Sequence, residues 1–160
     1  MATVQQVISE AQTVLENNLD DPNNDRSSGS DHPWIKTIPI EFGLAEYPRI
    51  HIENVSAVHE GLSVGSTERF VENRFQISVF HSVEQGYKLD VDGDDELESQ
   101  NRVVDYLARK VVENLNDNQS NFRSLDENIY SVLSVDEQRI QDEQNNVIQH
   151  TIDFLIRMRR

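Results

Sequence analysis

The segment Asp90–Glu98 reads DVDGDDELE and places carboxylates at alternate positions. Carboxylates in this kind of array converge on a hard cation in calcium-binding loops. Counted from Asp90, however, glycine falls at position four instead of six, and position twelve is Asn101 instead of glutamate. The spacing therefore favours a turn between a strand and a helix, with acidic side chains near the positive end of the helix dipole, over a calcium site.

The histidines are a second possible source of metal ligands, and they lie at His32, His51, His59, His81 and His150. No two have the HxxxH or HExxH spacing that puts two imidazoles on one helical face. His51 and Glu53 share a face of a predicted strand, but no third residue at zinc-ligand spacing accompanies them. We interpret these histidines as isolated surface residues. His150 interrupts an apolar strand face, which is typical of a core or interface histidine.

The sequence lacks the common catalytic and phosphate-binding motifs. It has no GxSxG elbow, no GxxxxGK[ST] loop and no GxGxxG. Cysteine is absent, which excludes disulfides, thiol nucleophiles and cysteine-ligated zinc. Carboxylate pairs occur throughout so acidic a chain and identify no acid–base site. We therefore predict a protein that is not an enzyme and has no catalytic, cofactor or metal residues.

The charge of the chain is strongly negative. It has 29 acidic and 14 basic residues, a net charge of −15, and its only lysines are Lys36, Lys88 and Lys110. Such a surface suits a cationic partner, or a salt-loving host in which salt screens the self-repulsion. The even spread of the acids favours the halophile interpretation. No basic stripe is present to neutralise phosphates, which disfavours generic nucleic-acid binding.

The length of 160 residues suits one domain, which we assign to 1–160. The N-terminus MATVQQVISE has neither the basic region nor the apolar run of a signal peptide. No segment approaches the roughly 20 apolar residues that span a bilayer. We therefore expect a soluble protein made in a cytoplasm, with no membrane contact.

Two strands organise the predicted fold. In 69–82 the apolar residues alternate with polar ones, and the same alternation recurs in 148–158. This is the pattern of strands with one wet face. Amphipathic helices are predicted over 3–19, where Thr3 and Gln6 form a capping box, and over 97–115.

The remaining segments complete an α+β fold, in which an antiparallel-rich sheet of about four strands carries the N-terminal helix and one crossover helix. Residues 20–31 are predicted as a polar loop, and 34–44 as an extended arm, so that loop and arm together fill 20–46. A short strand is expected over 47–55, with Ile50 and Ile52 inward and Arg49, His51 and Glu53 outward. The other predictions are a loop or irregular hairpin over 56–67, a strand over 129–135 and a long polar turn over 136–146.

Several segments stand in a distinctive order. They are an N-terminal helix, Pro48-Arg49-Ile50 opening a strand, a polar insert with Glu60, Gly61 and Thr67-Glu68, the strand RFQISVF, an acidic turn, the helix NRVVDYLARKVVENL and a hairpin ending in IDFLIRM. Over roughly the whole chain, this order resembles the tail-terminator, or tail-completion, proteins of viruses with long tails.

The resemblance implies a structural virion protein at the head–tail joint, assembled in the host cytoplasm. Its α+β domain would form a hexameric ring that caps the tail tube protein and joins it to neck and head-completion proteins. Viral DNA would pass through the lumen without sequence-specific binding. The acidic composition would make the virus one of haloarchaea. The family has no residue-level signature, so no site residue is carried over.

The arm residues are candidate partner contacts: Trp34, Ile35, Ile38 and Phe42. They are too apolar for a free loop, while Pro33 and Pro39 spoil the arm as a central strand. We expect them to pack on a neighbouring subunit or on the tail tube; the alternative is that they fold over the chain's own core. Two other functions stay open: another neck component, such as a head-completion or stopper protein, and a small acidic binding or regulatory module from the cytoplasm of a halophile.

Overall fold

The computed structural model of the chain describes residues 2–23, 26, 33–37, 46–55, 59–62, 69–84 and 88–159, with the side chains of 59–62, 69 and 70 left out of the description. The elements follow in the order α1 (Val4–Asn18), β1 (Ile35–Lys36), β2 (Arg49–Asn54), β3 (His59–Leu62), β4 (Arg69–Ser82), α2 (Gln100–Asp117), α3 (Gln119–Leu125), β5 (Ile129–Asp142) and β6 (Val147–Arg159). None of the helices in these ranges has the length and apolar character needed to span a membrane.

The sheet has the strand order β1-β2-β4-β6-β5, and β3 pairs with the far part of β4. The pair β1–β2 is parallel and the other pairs are antiparallel. The predicted α+β class and the antiparallel-rich sheet are confirmed. The sheet has six strands instead of about four, because parts of the predicted arm and of the predicted loop at 56–67 add β1 and β3.

The helices pack on one face of this sheet. The Thr3 hydroxyl accepts a hydrogen bond from the Gln6 N–H at 3.2 Å, and the Gln6 side chain accepts one from the Thr3 N–H at 2.8 Å, so the predicted capping box starts α1. The buried side chains of α1 and α2 join the inward residues of the two long central strands in one core. The strand residues are Phe75, Ile77, Val79, Ile148, Ile152, Phe154, Ile156 and Met158.

The loop predicted at 20–31 is anchored at its described positions by a buried ion pair. The guanidinium of Arg26 donates to both carboxylate oxygens of Asp21 at 2.9 Å, and these side chains are 6% and 1% exposed. The same guanidinium donates to the backbone carbonyls of Glu46 and Pro48 at 2.6 and 2.8 Å. Asp21 and Arg26, within the predicted loop, are therefore tied to the residues just before β2.

Strand β2 differs from the prediction at one residue. Ile50 and Ile52 are fully buried and Glu53 is exposed, as expected, but Arg49 is buried instead of pointing to solvent. Its Nε donates to the Glu46 carbonyl at 2.9 Å. Burial first, and then the positive charge of Arg26, lower the pKa of Arg49 from its ordinary value.

The C-terminal hairpin is longer than predicted. The segment 136–142, predicted as a polar turn, continues β5, and the turn is confined to 143–146. Its residues pair with β6 up to Asp142 opposite Val147. The hydrogen bonds between strands join backbone groups. They can therefore form along a polar segment whose side chains do not alternate between apolar and polar. The short helix α3, which the sequence analysis did not predict, buries Phe122 completely.

Candidate assembly surface

Two of the predicted contact residues lie in the chain's own core. Trp34 and Ile35 are 4% and 1% exposed, and Ile35 is the register partner of Ile50. The carbonyl of Trp34 accepts a hydrogen bond from the Ile50 N–H at 2.7 Å. Trp34 and Ile35 thus pack in the chain's own core, which was the alternative to the expected contact with a neighbouring subunit. Ile38 and Phe42 lie outside the described residues.

The last strand of the sheet, β5, has an outer edge whose first half is covered by α3. The side-chain amide of Gln119 donates to the Val132 carbonyl at 2.7 Å and accepts from the Val132 N–H at 2.9 Å, as a neighbouring strand would. Arg123 donates to the Tyr130 carbonyl at 3.2 Å. This part of the edge is therefore closed to further strand pairing.

The second half of β5 has no such cover. From Val135 to Gln141 every residue is exposed, and no strand or helix of the described chain pairs with the outer edge of this stretch. Edge strands of this length are sites of pairing with other chains unless charges protect them. Asp136, Glu137 and Arg139 give partial protection, while Val135 and Ile140 are apolar and 48% and 44% exposed.

Exposed apolar side chains are concentrated around the same strand. Seven large apolar residues of the described chain are exposed, and five of them fall between 125 and 140: Leu125, Tyr130, Leu133, Val135 and Ile140. Register shifts between β5 and β6 leave Tyr130 and Val135 without opposite residues. Bulges of this kind re-aim side chains at sheet edges. Exposed apolar residues scattered singly would need no explanation, whereas this group is a candidate contact surface.

The sheet face away from α1 and α2 continues this surface inward from β5. Leu133 lies opposite Leu155, which is only 6% exposed, and Asp136 lies opposite Asp153. The Oδ1 atom of Asp153 is buried and accepts no hydrogen bond within the described part of the chain. A buried acceptor of this kind needs a donor from water, an ion or a partner.

The other face of β5 meets α2 through polar contacts. Arg139 forms an ion pair with Asp105 of α2, and Nε2 of His150 on β6 lies 3.3 Å from the Glu137 carboxylate. A cavity of about 280 Å³ lies at this contact, between α2 and the hairpin, with Ala108 and Val112 among its lining residues. His150 is half-buried at the margin of the core, and its Nδ1 atom is buried with no hydrogen-bond partner within the described part of the chain.

The remaining described histidines do not gather into a site. His51 and Glu53 share the second sheet face, and burial lowers the pKa of His51 while the Glu53 charge opposes that shift. His81 is fully buried in β4, contrary to its interpretation as a surface residue. The imidazoles of His32 and His59 lie outside the described side chains.

The acidic segment after β4 forms a tight turn. Carboxylates of Asp90, Asp92 and Asp94 lie within 4.8 Å of one another. Asp90 accepts the N–H groups of Gly93 and Asp95 at 2.8 and 3.0 Å. Burial raises the pKa of Asp90, but these hydrogen bonds outweigh it and lower that pKa overall. The carboxylates therefore close the turn that the sequence favoured.

The start of α2 falls later than predicted. The helix begins at Gln100 instead of Leu97, and no acidic residue lies in its first turn. Asp94, Glu96 and Glu98 thus precede the helix. Leu97 is 66% exposed. The predicted turn is present, whereas the acidic residues that were predicted to start the helix lie just before its first residue.

No protein-family model matches the chain, and no curated protein matches its sequence. Among solved structures, it is similar to a chain described as "Virion of native gene transfer agent (GTA) particle". The identity is 11%, the TM-score is 0.46, and the match covers 79% of this chain and 78% of that chain.

Proposed function

We propose that this protein is a structural virion protein at the head–tail joint of a long-tailed virus of a haloarchaeal host. In this role it is a tail terminator: copies form a hexameric ring that caps the tail tube and connects it to the neck. The order of helices and strands that resembles the tail-terminator family supports this assignment.

The observation that carries the proposal is the uncovered edge of β5, with the apolar residues grouped around it. The opposite side of the sheet has a different construction, with the two-residue strand β1 paired to β2. Because its two edges differ, the sheet suits contacts between unlike surfaces of successive copies. Contacts of that type generate a closed ring when the rotation between copies closes.

The charge of the chain suits the same role. A ring through which DNA passes must not bind the phosphates tightly. Affinity for DNA comes largely from lysine and arginine contacts that release counterions, and a net charge of −15 opposes such contacts. The proposed lumen would therefore let DNA pass without holding it.

The first test is the mass of the purified protein in molar salt, measured by light scattering coupled to size exclusion and followed by negative-stain microscopy. We expect particles near six times the 18.4 kDa chain mass, alone or on tubes of the tail protein, and ring-shaped images. A monomer or dimer that forms no ring on the tube protein would overturn the proposal and favour the small regulatory module.

A matched pair of variants tests the surface. Val135→Asp places a charge on the exposed edge of β5, whereas Leu97→Asp places one on an exposed apolar residue before α2. We expect Val135→Asp to abolish assembly and Leu97→Asp to leave it intact, with both variants folded by circular dichroism. Equal behaviour of the two variants would show that the β5 edge is not the contact surface.

A further inference from the structure

We infer that copies outside the ring pair with one another through the outer edges of β5, as antiparallel strands related by a two-fold axis at Gln138. The inference goes beyond the proposed function, because it concerns the free protein and not the ring. The partner is a second copy of this chain. The contact uses the stretch Val135–Gln141, which the structure describes at every residue.

The free part of the β5 edge is bounded at both ends. On one side, the side chain of Gln119 in α3 bonds the backbone groups of Val132. On the other side, β5 ends at Asp142 and the hairpin turn follows over 143–146. Between these limits Val135–Gln141 is exposed at every residue, and no described element pairs with its outer edge. Such an edge presents backbone donors and acceptors with which another strand can pair.

The position of α3 favours antiparallel over parallel pairing. In a parallel pair in register, the halves of β5 that carry α3 would lie side by side, and the two copies of α3 would collide. In an antiparallel pair centred on Gln138, Ser134 lies opposite Asp142 of the second copy. The residues before Ser134, where α3 lies, then face the turn of that copy, beyond the end of its β5.

The charges of the stretch favour one register. When Gln138 faces its own counterpart, Glu137 lies opposite Arg139 of the second copy, and the same pair recurs on the other side of the axis. Asp136 then faces Ile140, so that no acid of the stretch faces another acid. Opposite charges on facing residues stabilise a pair of strands, and like charges destabilise it.

The two neighbouring symmetric registers lack this complementarity. Centring the pair on Glu137 would set two glutamates opposite each other. Centring it on Arg139 would set two arginines opposite each other, and would also bring Asp136 against Asp142 on both sides of the axis. Each of these registers places like charges on facing residues, which disfavours it.

The side chains of Glu137 and Arg139 are accessible to a second copy. They are 50% and 35% exposed. Within the chain, Arg139 pairs with Asp105 of α2, and the Glu137 carboxylate lies 3.3 Å from Nε2 of His150. A guanidinium has five N–H donors, so Arg139 can bind Asp105 and the glutamate of the second copy together. The contact therefore adds an ion pair without breaking the one already present.

The two-fold contact would protect the edge in copies that are not yet in a ring. A long free edge invites open-ended association with other chains. An isologous contact is complete after two copies, because each patch is then occupied by its counterpart. The ring uses the same edge in the proposed function, so one copy cannot make both contacts, and the dimer has to open before its copies join a ring.

The chain has no cysteine, so introduced cysteines report the register. The experiment is mild oxidation of the non-ring fraction after size exclusion. Gln138→Cys should give a disulfide-linked dimer, because this residue faces itself across the axis. Asp136→Cys alone and Ile140→Cys alone should stay unlinked, because each lies four residues, roughly 13 Å, from its own counterpart along the strands. Their mixture should give the linked dimer, since these two residues face each other.

Sedimentation of the wild-type protein over a dilution series measures the mass of the copies outside rings. We expect a species of twice the 18.4 kDa chain mass. Monomers in place of dimers would overturn this inference and, if rings form, would leave the proposed function standing. A dimer in which Gln138→Cys forms no disulfide would overturn the inference too, because the contact would lie elsewhere. Dimers with the expected disulfides that form no ring on the tube protein would support this inference and overturn the proposed function.

Discussion

The ring of Phe75 on β4 stacks on the ring of Phe154 on β6, with centroids 5.2 Å apart and planes inclined by 14°. The two residues are register partners at the middle of the sheet, and both are fully buried. This contact joins the two longest apolar strand faces beneath the helices. Offset aromatic pairs add to the stabilisation that burial alone supplies.

Replacing Phe154 by alanine should lower the free energy of unfolding by about 3–5 kcal/mol, because the truncation leaves a cavity in a close-packed core. Urea titration followed by circular dichroism measures the change. Leu133→Ala is the matched control, since Leu133 is 41% exposed, and it should alter stability by no more than about 0.5 kcal/mol. Similar effects of the two substitutions would mean that the strand faces are reversed.

Removing the carboxylate of Asp21 should also destabilise the fold strongly. Asp21→Ala leaves the Arg26 guanidinium buried without its ion-pair partner, which should cost about 3–5 kcal/mol. The control is Arg102→Ala, which breaks an ion pair whose arginine is 76% exposed and should cost at most about 1 kcal/mol. A small effect of Asp21→Ala would show that Arg26 does not anchor this loop.

The Gln119 amide should protect the edge of β5 at Val132. Gln119→Glu retains an acceptor for the Val132 N–H but cannot donate to the Val132 carbonyl, and an unmet buried group costs about 1–3 kcal/mol. Gln119→Ala loses both contacts, so hydrogen exchange at the Val132 amide should become faster. Gln141→Ala, on the exposed part of the strand, should leave that exchange unchanged. Unaltered protection in Gln119→Ala would show that the side chain does not close the edge.

Stability should depend on salt because of the net charge of −15. Lowering the salt from molar to about 0.1 M lengthens the screening distance from about 3 to 10 Å, so repulsion between carboxylates grows. We expect a lower melting temperature and weaker assembly at low salt. A variant with several exposed acids replaced by their amides should show a weaker dependence. Constant stability across the range would contradict the halophile interpretation and favour a cationic partner.

Acid should destabilise the protein through Asp126 and Asp142. The pKa of Asp126 lies below its ordinary value because the N–H groups of Asn128 and Ala2 donate to it, and the Asn145 side chain and N–H lower the pKa of Asp142 likewise. A carboxylate with a lowered folded pKa contributes stability that is present above its unfolded pKa, about 3.9, and is lost as the pH falls through the folded value.

Stability measured against pH checks this expectation. Asp126→Asn should flatten the loss of stability below about pH 4, because one of the groups that binds a proton on unfolding has gone. If the stability of Asp126→Asn falls with pH as steeply as that of the wild-type protein, Asp126 does not contribute to the loss of stability in acid.

The sequence alone determined the parts of the fold in which apolar residues repeat. Val71, Phe75 and Ile77 keep period two through β4, and the helical spacing of α2 places Val104 and Leu107 on the core side. The positions of these elements follow from the local spacing of apolar residues. Each apolar face has to be buried, whichever element of the fold packs against it. The capping box at the start of α1 is equally local, since both of its residues lie within one turn.

The tertiary structure decided the features that depend on distant partners. Residues 136–142 have no strand pattern of their own and become strand because β6 supplies the ladder. Arg49 is buried, donates a hydrogen bond to the Glu46 carbonyl and lies near the charge of Arg26. The alternation of apolar and polar residues in β2 does not predict these contacts.

The candidate assembly surface is decided at the same level. Tyr130 and Val135 are exposed and lie at the two register shifts between β5 and β6. Helix α3 covers the first half of the β5 edge through Gln119. Hydrophobic pattern reports which side chains need burial. The register and the packing of neighbouring elements determine which of them the single chain leaves exposed.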